Sequence, residues 1–344
     1  EGFQNYFLVR IIESVKWVLR AGFIVIATAM GYGLAGIGAA YLAAGVLTLI
    51  VLYLAVFAGN SSLAIGIRFM NMDSFKSLFG FSVWIFLSKM FAFLAYRIDT
   101  IIIGMFLPPA NIAYYNIAFK MYEIVRYGFS LLSSTLIPVT SELNALADKV
   151  RLNLLFQKAT RYTVLIIYPV LTFIFFYSET LIRLWVGDGF EASASLSRLF
   201  MISLFFAAVV SIGSEMMVGL NRLRELILYS GIASAINLVL SIILVKKIGV
   251  SGVVIGTVIG TIFIMISYLY CMMKVFNQSI LNLWRDILIR PIIITVVMSL
   301  LFFSVGNIYL AVLISAASFL FIFLFMIDKE DRDLIYNMAL LKNG

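Results

Sequence analysis

Residues 21–67 read AGFIVIATAMGYGLAGIGAAYLAAGVLTLIVLYLAVFAGNSSLAIGI, forty-seven positions without one charged side chain. A helix that spans hydrocarbon needs about 20 apolar residues, so this run is long enough to cross a bilayer twice. Gly31, Gly33, Gly36 and Gly38 supply the reversal between the two crossings, because clustered glycine punctuates a helical pattern. A second uncharged run, the thirty-seven residues Pro291 to Ile327, splits at Gly306-Asn307, since one helix of that length would overshoot the membrane.

The whole chain has the same character. Of its 344 residues 63% are hydrophobic and 12% charged, about half the charge of an ordinary soluble domain, and the mean hydropathy is +1.08. The fold class is therefore all-α: a polytopic integral membrane helical bundle. There is no histidine and one cysteine, Cys271. Histidine acid–base chemistry, histidine metal ligation and an intrachain disulfide are thereby excluded. The net charge of +8 has no soluble basic face to sit on, so nucleic acid is not the expected partner. No phosphate-cradling glycine loop, catalytic carboxylate pair or nucleophile–base set stands in the aqueous segments. The longest outer loop, 184–194, is too short for a catalytic one. No enzymatic activity and no cofactor are expected.

Cutting the apolar runs at charge clusters and turns predicts about ten transmembrane helices, over 11–31, 36–58, 79–106, 110–140, 159–183, 195–220, 225–245, 250–274, 288–306 and 308–327. With that alternation, seventeen lysines and arginines fall on the side of the N-terminus and four on the other (Arg183, Arg198, Lys246, Lys247). The positive-inside rule then puts both termini in the cytoplasm of a cell-membrane protein. Pro108 and Pro109 fall in an outer turn, Pro291 begins helix nine, and Pro138 and Pro169 are expected to bend helices four and five. The amphipathic stretches 8–20 and 148–161 are expected to lie on the membrane surface as lead-ins to the helices that follow them.

Two hairpins share a pattern. Gly33-Leu34-Ala35-Gly36 and Gly249-Val250-Ser251-Gly252 are both glycine, apolar, small, glycine turns, each followed four places on by Ala40 or Gly256. Their offset of 216 residues corresponds to six helices, the period of a transporter built from two lobes. On that arithmetic 1–60 is the last hairpin of a first lobe and 77–276 a complete six-helix second lobe. Residues 287–344 then add two helices and a cytoplasmic tail, and about four helices, of order 140 residues, are expected before Glu1.

Charge inside the membrane marks the candidate site, because an ionised group at mid-bilayer costs roughly 2.5–3.5 kcal/mol and generally faces a cavity or a partner. Helix three carries Lys89, Arg97 and Asp99, and helix four carries Lys120, Glu123 and Arg126 at successive spacings of three. Spacing of three places the latter along one face. Two readings stand. In one, Glu123 neutralises Lys120 and Arg126 while Asp99 neutralises Arg97, a structural ladder of ion pairs. In the other, four bases against two acids leave positive charge for an anionic ligand, with Lys89 the strongest single candidate because no acid lies within four residues. Glu215, roughly 10 Å inside the end of helix six, is either a coupling carboxylate or a satisfied buried acid. Tyr114, Tyr115, Tyr122 and Tyr127 either stack on sugars or anchor helices at the interface.

The run Tyr96-Arg97-Ile98-Asp99 with Gly104, followed by Ala113-Tyr114-Tyr115-Asn116-Ile117-Ala118, resembles a stretch of the polysaccharide-biosynthesis, O-antigen-type flippases. Leu136-Ile137-Pro138-Val139, Leu184-Trp185-Val186-Gly187-Asp188-Gly189-Phe190, Gly219-Leu220-Asn221 and Lys247-Ile248-Gly249-Val250-Ser251-Gly252 resemble later segments of the same family, in the same order. These flippases belong to the multidrug/oligosaccharidyl-lipid/polysaccharide exporter superfamily, with fourteen helices, twelve of them in two six-helix lobes around a central cavity. The resemblance implies that the chain holds helices five to fourteen. It further implies that the substrate is a polyprenyl-diphosphate-linked oligosaccharide, moved from the cytoplasmic to the outer leaflet. Lys89, Arg97, Asp99, Lys120, Glu123 and Arg126 would then line its path, with membrane lipids and the polysaccharide polymerase machinery as partners. A multidrug exporter of organic cations, a peptidoglycan-precursor flippase and a non-transporting membrane scaffold are the alternatives.

Overall fold

The computed structural model describes residues 6–59, 98–133, 135–277 and 280–327, with the isolated positions 72 and 79. Every regular element among the described residues is helical. In chain order these are α1 (Tyr6–Ala29), α2 (Gly33–Gly59), α3 (98–106), α4 (Ala110–Ser133), α5 (Leu136–Ala145), α6 (Lys149–Val186), α7 (Glu191–Gly219), α8 (Leu223–Ile248), α9 (Val250–Phe276), α10 (Ile280–Ser304) and α11 (Ile308–Phe321). A single π turn, Ile322–Met326, closes α11. Seven of these, α2 and α6 through α11, are long and apolar enough to cross a membrane, as expected of a polytopic bundle. The expected ten also counted α1 and α4, whose charges (Arg10, Glu13, Lys16 and Arg20; Lys120, Glu123 and Arg126) lower their apolarity. Most of the expected third helix lies outside the described residues.

The chain forms two compact units, Glu1–Leu87 and Ser88–Gly344. In the first, α1 and α2 form a hairpin through Gly31 and Gly33, both at positive φ. Ala40 and Ala44, one turn apart on α2, are buried, and small residues at that spacing let two helices approach closely. The Arg20 guanidinium lies 3.8 Å from the Trp17 ring and 4.5 Å from the Tyr41 ring, so the polar end of α1 is tied to α2.

The second unit is built around α7, which packs on α4, α5, α6 and α9. Phe200, Met201, Leu204, Ala208, Ile212 and Met216 form its buried stripe, at the three- and four-residue spacing of one helix face. A second apolar cluster joins α6 to α10 and α11 through Leu165, Tyr177, Met298, Phe302 and Ala311. There the Tyr177 hydroxyl donates to the Val305 carbonyl at 2.5 Å, which satisfies a backbone acceptor where α10 ends.

Five expectations change. The helix expected over 110–140 is two helices, with the break between Ser133 and Leu136. Pro138 falls on the third residue of α5 rather than within one long helix, a position whose missing N–H has no intrahelical acceptor to lose. The surface lead-in expected over 148–161 is continuous with the span after it: α6 runs 38 residues, about 57 Å, and extends well beyond hydrocarbon of about 30 Å. Its start is fixed by Asp148, whose side chain accepts from the Arg151 amide at 2.9 Å. It runs unbroken through Pro169, its neighbours in a packed bundle tolerating the lost bond. The stretch 8–20 is likewise part of a continuous helix, α1. Pro291 lies inside α10, which begins at Ile280, not at the helix start.

Candidate functional site

The side chains expected to line one path occupy two separate settings, and two of them, Lys89 and Arg97, lie outside the described residues. On α4, Lys120 and Glu123 form an ion pair one turn apart, with side chains 60% and 20% exposed. The Arg126 guanidinium, one further turn on, lies 5.8 Å from the Tyr127 ring. These are the residues of a helix that presents a charged face and buries another.

The buried face of α4 is aromatic. Tyr115 stacks on Phe119 at 5.7 Å and Phe119 on Tyr122 at 5.5 Å, while Phe200 of α7 closes against all three rings at 5.0–5.9 Å. Tyr115 and Lys120 differ by five positions, about 140° round a helix. Lys120 consequently faces away from the ring row, whereas Glu123, four positions after Phe119, and Arg126, four after Tyr122, lie nearer to it.

Asp99 belongs to the inner face. It is buried at 8% exposure, where its Oδ2 accepts from the Tyr115 hydroxyl at 3.0 Å and from Thr257 Oγ1 at 3.2 Å. Asn237 Nδ2 in turn donates to Thr257 Oγ1 at 2.9 Å. One carboxylate therefore gathers α3, α4, α8 and α9. The backbone geometry that permits this is set by glycine: a Cβ on Gly252 would lie 2.5 Å from the Leu244 carbonyl, and one on Gly256 2.6 Å from Ser241 Oγ. The glycine-paired turn visible in the sequence at 249–252 is thus the start of a close α8–α9 contact.

Sequence reading missed Tyr115 as a partner of Asp99, and it missed Asn237, Ser241 and Thr257 altogether. Their signal is the i, i+4 pair Asn237 and Ser241 in the apolar middle of α8, facing Thr257, the residue after Gly256. Further polar ties hold the same unit. Ser203 and Thr261 lie 3.0 Å apart between α7 and α9, and Ser230 and Tyr268 lie 2.9 Å apart between α8 and α9. At the α6–α7 end, Arg198 donates to Ser178 at 3.1 Å and faces Glu179 at 3.7 Å. An apolar cavity of about 300 Å³ opens between α6, α7, α9 and α10, lined by Tyr168, Phe205, Val209, Met265, Ile292 and Val296 among others. Among the described residues no three acidic, cysteine or histidine side chains come together.

The family described as polysaccharide biosynthesis protein matches residues 12–195. Over 210 residues the chain is 23% identical to an uncharacterized membrane protein of Methanocaldococcus jannaschii, covering 60% of this chain and 41% of that one. Over 250 residues it is 21% identical to Agl15 of Haloferax volcanii, a probable low-salt glycan biosynthesis flippase, covering 73% of this chain and 51% of that one. The chain thus spans about half the length of the curated relatives it matches. In fold it is similar to the lipid II flippase MurJ in an inward closed conformation, with a TM-score of 0.68 at 17% identity, over 94% of this chain and 67% of that one.

Proposed function

This chain belongs to the polysaccharide biosynthesis protein family, and from that premise we propose that it serves a flippase that carries polyprenyl-diphosphate-linked glycan units from the cytoplasmic to the outer leaflet of the cell membrane. Residues 1–60 are the last hairpin of its first lobe and 77–276 its second lobe. Residues 287–344 add two helices and a tail, and both termini face the cytoplasm. The polymerase machinery that joins the glycan units takes the product.

The observation that carries this reading is the charged face of α4. Lys120 is more than half exposed yet sits on a helix packed into an apolar bundle, and its counter-ion Glu123 is one turn away. A diphosphate brings more negative charge than one carboxylate. It can therefore exchange with Glu123 for the Lys120 ammonium, with Arg126, Lys89 and Arg97 as further cations. A scaffold has no use for such a face, and a carrier of organic cations would place acids there.

Native mass spectrometry of the full protein from its own membranes tests the proposal. Retained polyprenyl-diphosphate glycan, displaced by free diphosphate, is the expected result. An organic cation in its place, or no retained lipid-linked glycan, rejects it.

A further inference from the structure

The bundle uses the basic, amphipathic stretch 148–161 along one side only. Leu152 and Phe156 are buried, and Phe156 packs at 5.9 Å on Phe276, the last residue of α9. The other side is bare. Val150 is 81% exposed and Leu154 50%, while Leu146, in the turn that leads into α6, is 65% exposed. Residues four apart share a helix face, so Val150 and Leu154 form one apolar row, with Leu146 just before it.

This row stands beyond the reach of lipid. Residues 162–178 of α6 are free of charge, and Arg161 is the first charged residue before them. Val150 precedes Arg161 by eleven positions on an unbroken helix, a distance of about 16 Å. The headgroup layer on one side of a bilayer is only about 5–8 Å thick. Even a tilt of about 40° leaves Val150 about 13 Å out. An exposed apolar row in water, outside the membrane, marks a protein contact.

The rim of the row defines the partner. From Lys149 to Ser178, α6 has four cations, Lys149, Arg151, Lys158 and Arg161, and no acid. Asp148 is already engaged, accepting from the Arg151 amide at 2.9 Å and facing Arg151 Nε at 3.2 Å. Lys149 pairs with no acid among the described residues. A second copy of this chain is a poor occupant, because a two-fold contact sets the same cations against one another.

From this geometry we infer that the Val150–Leu154 face of α6, with Leu146 before it, is a docking surface for a protein partner outside the membrane whose own apolar row is bordered by carboxylates. The amphipathic helix is the element that presents such a row. Its carboxylates meet Lys149 and Arg151, and its apolar face covers Val150.

The inference does not depend on what the protein transports, and the test measures cover alone. Val150→Cys supplies the reactive thiol, since the native Cys271 is 3% exposed, and so exposed a position tolerates the change without loss of fold. Labelling by a membrane-impermeant maleimide is timed in opened membranes from the protein's own cells, and on the purified full protein in phosphatidylcholine nanodiscs. The thiol should react about fivefold or more slowly in the native membranes, because only the uncovered fraction reacts. Salt at about 1 M, or Lys149→Gln with Arg151→Gln, should bring the rate back to that of the purified protein. Equal rates in the two preparations at low salt overturn the docking surface. Protection that persists in the purified protein overturns it too, assigning the cover to the protein's own segments or, where it grows with protein concentration, to a second copy. Protection regained in nanodiscs of native lipid alone assigns the row to the membrane and overturns it. Protection that neither salt nor the double substitution relieves rejects the carboxylate-bordered partner.

Discussion

Replacing Gly256 with alanine puts the α8–α9 contact under direct load. The new Cβ would lie 2.6 Å from Ser241 Oγ, 3.1 Å from the Asn237 carbonyl oxygen and 3.2 Å from the Ser241 amide nitrogen. Carbon and oxygen rarely come within about 3.3 Å, so the Ser241 hydroxyl must give by roughly 0.7 Å and the helices themselves by about 0.2 Å at the Asn237 carbonyl. Ser241 is fully buried, and although its hydroxyl can turn, the Asn237 backbone cannot. Overpacking of this kind costs about 1–3 kcal/mol, partly offset by the helix propensity alanine adds, about 1 kcal/mol. A net loss of about 1 kcal/mol, and at most about 2, should lower the unfolding midpoint by up to about 6 °C. Gly213→Ala is the control, because its Cβ would meet Tyr268 Cβ at an ordinary 3.5 Å and should leave stability unchanged or raised. The protein carries its own reporter: Cys271, its one cysteine, is 3% exposed and lies on α9 with Gly256. A maleimide dye will label it only as the bundle opens. Adding Ser241→Ala to Gly256→Ala removes the nearest contact and should restore about 0.5 kcal/mol or more of the loss. If Gly256→Ala opens at or above the wild-type temperature, or no earlier than Gly213→Ala, the close approach of α8 and α9 is refuted.

Lys120→Ala in the full protein should weaken diphosphate-lipid binding about tenfold, the loss of one charge-assisted hydrogen bond, with protein level unchanged; unaltered glycan export in cells would remove Lys120 from the path. Tyr177→Phe leaves the Val305 carbonyl without its 2.5 Å donor and should cost about 1 kcal/mol, seen as roughly fivefold faster hydrogen exchange over residues 305–310. Phe200→Ala removes a fully buried ring in contact with Tyr115, Phe119 and Tyr122. It should cost about 3–5 kcal/mol and sharply reduce the folded yield from membranes, whereas the same change at exposed Leu228 should not.

The apolar runs were legible because a bilayer imposes one length on everything that crosses it, and α2, α7, α8 and α9 fall close to where those runs end. Boundaries failed where the helix continues into water. Nothing in the charges of Lys149, Arg151 and Lys158 says whether a basic amphipathic stretch bends onto the membrane surface or continues the helix axis as α6 does, since its pattern is the same in both cases. Pro138 and Pro291 show a related limit. Proline marks a position where a hydrogen bond is missing, but only the location of the helix start decides whether that position is a first turn, as at Pro138, or an interior, as at Pro291. At the candidate site the charged residues were visible as anomalies in hydrocarbon, and Lys120 and Glu123 do meet. Asp99 was visible too, but its sequence neighbour Arg97 suggested a local pair. Arg97 lies outside the described residues, and the structure joins Asp99 to Thr257, 158 positions away, a partner that no local spacing can reveal.

The separation of the two settings on α4 has a mechanical consequence. Tyr115 fastens the inner face of this helix to Asp99 at 3.0 Å, and Lys120, about 7.5 Å further along the axis, carries the charge on another face. A rigid helix cannot turn or slide at Lys120 while staying fixed at Tyr115, and the stack from Tyr115 through Phe119 to Tyr122 leaves little slack between them. Any change at Asp99 that releases or strengthens the Tyr115 hydrogen bond therefore acts on the position of Lys120. A neutral hydroxyl bond suits that role better than a second ion pair would. It is worth about 1 kcal/mol net, weak enough to be broken by a ligand that binds the two arrangements with different affinity, whereas a buried ion pair broken at one partner costs about 3–5 kcal/mol. The carboxylate of Asp99 on α3 and the cations on α4 are thus coupled through Tyr115, by a bond weak enough for a ligand to reverse.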